Sequence, residues 1–136
     1  MICSKKKKIH LEKKNYLYKG TIYKDHSFRK GKLVNRNVTV VGSWKKNILN
    51  GICEVYYYKY YFKGNFKNGK PNGYGKLITD SLIYKGYFKN GVAEGKGNLY
   101  NIDNEYLCSG VFKNNKMVNK DIIINHPFGD IQKYIN

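Results

Sequence analysis

Hydrophobic and polar residues alternate in short runs along most of the 136-residue chain, and five of these runs are centred on a glycine: Gly20, Gly42, Gly64, Gly86 and Gly110. The glycines stand 22, 22, 22 and 24 residues apart. Two residues before each lie Tyr18, Val40, Phe62, Tyr84 and Cys108; two after lie Ile22, Trp44, Phe66, Phe88 and Phe112. Thirteen after come Leu33, Val55, Leu77, Leu99 and Ile123, aliphatic in all five. Apolar residues flanking a glycine at a spacing of two mark a half-buried strand, and the helical period is absent.

Five residues after each glycine stand Asp25, Asn47, Gly69, Gly91 and Asn115, types that tolerate positive φ, so the chain is expected to bend there. A second short run follows, such as Gly75 to Thr79 or Gly97 to Tyr100, with its aliphatic residue placed to meet the aromatic of the first. Each copy therefore reads as a β-hairpin. Repetition at this period implies stacked units with an extended surface rather than a central pocket. The predicted fold is all-β: an elongated, single-layer antiparallel sheet of about five hairpins, on the order of 50 Å long at a strand spacing of about 4.8 Å.

The best-kept copy reads Tyr84-x-Gly86-x-Phe88-x-x-Gly91-x-x-x-Gly95-x-Gly97-x-Leu99 and is matched by Phe62 to Leu77. This pattern resembles the MORN repeat. Trp44 restores the family's usual aromatic in the second copy, while the glycines decay to Arg29, to Cys53, and to Asn115, Asn119 and Asp121 in the first, second and fifth copies. The resemblance covers roughly residues 18–124. An aromatic beside a glycine lets a ring lie over the missing side chain, so a thin core of rings and aliphatics is expected along one face.

Residues 1–8 read as a disordered basic tail, 9–17 as a half-repeat cap with Leu11 at the aliphatic position, 18–124 as the repeat domain and 125–136 as a C-terminal cap. Pro127 stops the last strand. Beyond it, Ile131, Tyr134 and Ile135 have the spacing of a short helix that would lie across the final hairpin. The two-residue insertion before the fifth copy, within Asn101 to Tyr106, predicts a longer loop.

Charge alters the functional picture: 26 basic residues face 9 acidic ones, a formal net charge of +17. An anionic partner follows naturally. If the positions two before and two after each glycine face the core, those one before and three after face away. They hold Lys19, Lys63 and Lys85, and Lys45, Lys67, Lys89 and Lys113. These are the candidate binding residues, two rows at about 10 Å intervals, near a Debye length. A solvated face is the competing reading, since an A·T-biased coding sequence also yields Lys, Asn, Ile and Tyr, and lysine blunts sheet edges.

Other chemistry is poorly supplied. Glu54, Asp80, Glu94 and Asp103 are scattered, and no nucleophile–base set forms by position, so no enzyme activity and no cofactor are expected. His10, His26 and His126 lack metal-site spacing with each other or with cysteine. Gly73-x-Gly75 and Gly95-x-Gly97 are hairpin glycines, with no helix behind them to hold phosphate. Cys53 and Cys108 replace core residues and read as free structural thiols; Cys3 beside Lys5 to Lys8 admits an acylated basic anchor. No run reaches the roughly 18 apolar residues of a transmembrane helix.

The resemblance implies a non-enzymatic scaffold or adaptor in membrane-associated or cytoskeletal assemblies, axonemes among them, located in the cytoplasm. Its implied partner is a protein with acidic segments; the alternative is direct binding of anionic phospholipid by the lysine rows. A second copy could add at an exposed sheet end. Nucleic acid is disfavoured because most rings are assigned inward, the run Tyr56 to Tyr61 excepted.

Overall fold

The computed structural model describes residues 7–13 and 15–135. They form one antiparallel sheet in which the strands follow one another in sequence order: β1 Lys7–Glu12, β2 Tyr16–Ile22, β3 Phe28–Asn35, β4 Val38–Lys45, β5 Ile48–Leu49, β6 Gly51–Tyr57, β7 Tyr60–Lys67, β8 Lys70–Ile78, β9 Ile83–Lys89, β10 Val92–Tyr100, β11 Tyr106–Lys113 and β12 Lys116–Met117. Only β5 leaves the main path, pairing with the end of β4. The all-β hairpin ribbon expected from the repeat is the fold observed. The first strand opens at Lys7 and pairs with β2, so Lys7 and Lys8, expected in a disordered tail, are strand residues held by the β2 ladder. Residues 1–6, with Cys3, Lys5 and Lys6, lie outside the described residues.

Two-residue turns close most hairpins. Asn68 and Gly69, Asn90 and Gly91, Asn114 and Asn115, and Lys46 and Asn47 all have positive φ, the geometry whose twist matches the strands it joins. In the first copy the bend is displaced: the positive φ, 72°, falls on His26 rather than Asp25. Asp25 instead accepts hydrogen bonds from the Ser27 backbone and hydroxyl, closing a wider turn.

The central glycines line up across the sheet: Gly20 with Gly31, Gly31 with Gly42, Gly64 with Gly75, Gly75 with Gly86, and Gly86 with Gly97. Strand alternation puts Tyr18, Phe62 and Tyr84 on the same face, and their rings cover these glycines. A Cβ on Gly75 would stand 2.6 Å from Cζ of Phe62. Phe62, Phe66, Phe88, Tyr84 and Phe112 then meet edge to face at centroid distances of 4.9–5.4 Å, the arrangement aromatic quadrupoles favour.

This inner face is covered by the chain's own C-terminus. The segment after Ile124 includes a 3-10 helix, Phe128–Tyr134, interrupted at Asp130. It lies across the middle of the sheet and not across the final hairpin. Phe128 packs on Phe62 at 5.5 Å and Tyr60 at 6.4 Å, and Tyr134 on Tyr57 at 5.0 Å. Gln132 accepts from the Leu49 backbone N–H and donates to the Asn47 carbonyl, and Asn35 donates to the Tyr134 carbonyl at 2.7 Å. Hydrophobic burial explains the placement: Phe128, Ile131 and Ile135 are buried, and the rings of the middle copies offer more apolar surface than the fifth.

Candidate interaction surface

With the inner face filled, the outer face and hairpin tips remain as the extended surface. The registers assemble it in rows running across the strands. One row passes from His10 through Lys19, Lys32, Val41, Glu54, Lys63, Lys76 and Lys85 to Asn98 and Ser109. Lys19 and Lys63 are exposed; Lys85 is partly covered, its ammonium 4.6 Å from the centre of the Tyr100 ring. Lys32 and Lys76 join this row from the second strand of each hairpin. Sequence reading missed them, although the same period of two applied from Leu33 and Leu77 places both outward.

Lys45, Lys67, Lys89 and Lys113 are exposed and end their strands at the hairpin tips, where Lys67 pairs with Lys70 and Lys113 with Lys116. The structure thus sorts the seven candidate lysines into a row near mid-strand and a rim. Five cross-strand pairs set lysine against lysine: Lys19–Lys32, Lys63–Lys76, Lys76–Lys85, Lys67–Lys70 and Lys113–Lys116. Like charges in directly opposed positions destabilise a sheet. Among the described residues two ion pairs form, Lys59–Asp80 at 3.0 Å and Lys116–Asp121 at 3.8 Å, and neither touches the mid-strand row. Lys59 holds the Asp80 carboxyl below its usual range.

Rings are not confined to the inner face. Tyr74 and Tyr87 are opposed on the outer face, 55% and 50% exposed, with ring centres 5.5 Å apart. A further outer row runs through Leu17, Val34, Thr39, Tyr56, Tyr61 and Ile78. Tyr61 donates to Glu54 at 2.7 Å; burial, and then that carboxylate, push its phenol pKa up. Within the tyrosine run, Tyr56 and Tyr58 are exposed while Tyr57 and Tyr60 pack under the C-terminal segment. Tyr74 and Tyr87 escaped notice because rings were assigned by type; strand parity alone puts them outward.

The remaining candidate chemistry stays dispersed. Among the described residues no three His, Cys, Asp or Glu side chains gather as a metal site. Cys53 and Cys108 are free. Burial pushes the Cys53 thiol up to about 11, which makes it a packing group rather than a nucleophile. His126 is neutral and structural: burial pulls it down to about 4, its Nδ1 accepts the Phe128 backbone N–H, and its Nε2 meets Asn115 Oδ1 at 3.1 Å. Among the described residues no helix is long and apolar enough to cross a membrane.

Sequential hairpins, glycines aligned across the sheet and rings laid over them define an open β-repeat protein, a class that presents surfaces and lacks a central cleft. Residues 62–80 and 84–103 match the family model described as the MORN repeat. The chain therefore carries MORN repeats in its third and fourth hairpins. The MORN repeat is a non-enzymatic module that mediates protein–protein or protein–membrane interactions. No curated protein matches the chain.

Proposed function

We infer that the protein is a non-enzymatic adaptor, cytoplasmic and attached to cytoskeletal or membrane-associated assemblies, which docks an acidic protein segment along the outer lysine row. The observation that carries this reading is the set of five lysine–lysine cross-strand pairs. Such opposition costs stability in the free protein, and an anionic ligand laid across the strands relieves it. An extended acidic chain crossing Lys63, Lys76 and Lys85 would meet one ammonium per strand, about 4.8 Å apart. The rim lysines Lys45, Lys67, Lys89 and Lys113 widen the field.

An anionic phospholipid surface is the second reading, favoured by Tyr74 and Tyr87 among the lysines, since amphipathic rings suit a water–lipid boundary. One experiment separates the two. A fluorescent polyglutamate peptide and phosphatidylserine vesicles are titrated against the protein and its Lys63→Glu/Lys76→Glu/Lys85→Glu variant at 50 and 150 mM salt. The adaptor reading expects salt-sensitive peptide binding lost in the variant. Vesicle binding alone would transfer the function to lipid, and binding of neither ligand at 150 mM salt would sink both.

A further inference from the structure

The mid-strand lysines have a neighbouring row on each side, and both rows are largely apolar. Toward the hairpin tips, Ile52, Tyr74, Tyr87 and Val111 stand two residues from members of the lysine row along β6, β8, β9 and β11, and each is at least 50% exposed. On the other side, Tyr56, Tyr61 and Ile78 stand two residues from Glu54, Lys63 and Lys76, set in one line by the register. Exposed apolar groups gathered in this way mark a contact surface. The cations occupy the middle of a three-row band. Rows two residues apart on a strand are separated by about 6.7 Å, so the band is about 13 Å wide. Its charge is confined to Lys63, Lys76 and Lys85, for Glu54 bounds the run on β6 and the neutral Asn98 bounds it on β10.

These dimensions discriminate among acidic ligands. An extended chain laid along the lysines drifts out of step with them: three of its same-face side chains span about 13 Å, where three strands span about 10 Å. It also covers one row and leaves both apolar rows in water. An α-helix is about 10–12 Å across with its side chains, which matches the band, and one side chain per turn over three turns spans about 11 Å. The remaining difference of about 1 Å is within the reach of a flexible lysine stem. A bilayer takes apolar groups deepest and leaves cations at the rim, the reverse of an order in which cations lie between two apolar rows.

We propose that the acidic segment docked on the lysine row is an amphipathic α-helix lying across the strands, its acidic stripe over Lys63, Lys76 and Lys85. Apolar residues on the two sides of that stripe rest on Tyr74 and Tyr87 and on Tyr56 and Ile78. This rests on the adaptor reading of the row and names the form its partner takes. The lysines fix the line of the helix across the sheet, and the flanking rows select a helix over other acidic chains.

The test uses the full-length protein and a capped synthetic peptide of about four helical turns, with one glutamate per turn, leucines on both sides of that stripe, and alanine and glutamine elsewhere. A control peptide has two central alanines replaced by proline, which keeps its charge and leucines but breaks the helix. At 150 mM salt the helical peptide is expected to bind at least tenfold more tightly than the control, with a rise in helical circular dichroism on mixing. Tyr74→Ser/Tyr87→Ser should weaken that binding at least tenfold while leaving polyglutamate binding at 50 mM salt unchanged; should the pair unsettle the fold, Ile52→Ser on the same row weakens the peptide in the same direction. Equal binding of the two peptides, full binding by both tip-row variants, or no binding at millimolar helical peptide overturns the proposal. Polyglutamate that binds while the helical peptide gains nothing over it overturns the proposal and leaves the adaptor reading standing. Helical-peptide binding that survives Lys63→Glu/Lys76→Glu/Lys85→Glu overturns both, and phosphatidylserine vesicles bound through Tyr74 and Tyr87 in place of the peptide give the band to lipid.

Discussion

Replacing Gly86 and Gly110 separately by alanine should produce very different losses, although both are central glycines of their copies. Gly86 is flanked by Gly75 and Gly97, and a Cβ there would stand 2.6 Å from the Gly97 Cα, the Lys96 carbonyl oxygen and the Tyr84 hydroxyl. Backbone atoms on the next strand cannot yield without parting the sheet, an overpacking cost of about 1–3 kcal/mol. The Tyr84 ring is fully buried and its hydroxyl donates to the Tyr87 carbonyl at 2.9 Å. Pushing it off that acceptor adds about 1–3 kcal/mol for an unsatisfied buried group. The expected loss for Gly86→Ala is roughly 2–6 kcal/mol.

At Gly110 the three nearest atoms all belong to the Met117 side chain, at 3.0–3.2 Å. A flexible thioether can shift by a few tenths of an ångström, and removing a glycine restricts the unfolded chain, a gain of about 0.4–1 kcal/mol. The net effect of Gly110→Ala should lie within about 1 kcal/mol of zero. Urea unfolding followed by circular dichroism reads the contrast: at a slope of about 1–3 kcal/mol per molar, the Gly86 variant loses at least about 0.7 M of midpoint. Equal midpoints in the two variants would show that glycine alignment is incidental to the packing.

Three further outcomes follow from the C-terminal segment and the buried thiol. Phe128→Ala should cost about 3–5 kcal/mol, because the ring is fully buried between Phe62 and His126, and thermal unfolding measures it. His126 titrates at about 4 in the native state against 6.5 unfolded, so between those values only the unfolded chain gains the proton. Stability is therefore complete above pH 6.5 and falls by roughly 3 kcal/mol on reaching pH 4, a slope that His126→Leu should remove from a series of urea midpoints. Asp25 and Asp80, whose carboxyls are held below their usual range, add losses only under that window. Cys53, pushed up to about 11, should react with a thiol reagent at pH 8 only at the rate of unfolding, and rapid labelling of the native protein would contradict its burial.

The hairpins were legible because their causes are local. Alternation, turn residues with positive φ and glycine spacing act within about 20 residues, and Gly69, Gly91, Asn47 and Asn115 bend the chain where their chemistry says. The lysine rows were legible in part, for parity predicts a side chain's face but the cross-strand partner depends on register. Two register shifts, between Gly64 and Phe66 and between Ala93 and Gly97, let two extra residues into β8 and β10 and preserve parity on either side. The C-terminal segment's seat was illegible. Nothing in Phe128, Ile131 or Ile135 distinguishes one hairpin from another; the choice is made by the summed apolar area of the middle rings, a non-local quantity.

Decay of the repeat at its two ends has unequal physical consequences. In the second copy Cys53 stands for a glycine, and the strand survives because its partner on each side, Gly42 and Gly64, is still glycine and leaves room for one small side chain. In the fifth, Asp121 arrives where Gly110 would be its neighbour on one side only, and a charged group cannot share the space a thiol can. A carboxylate there stops the sheet, whereas a thiol lets it continue. Asp121→Gly together with Asn119→Gly should therefore let β12 extend along β11, raising the strand signal in circular dichroism and bringing Ile123, expected in the core but 55% exposed, into the core. If the doubly substituted chain keeps Ile123 exposed and gains no strand signal, glycine loss is not what ends the array.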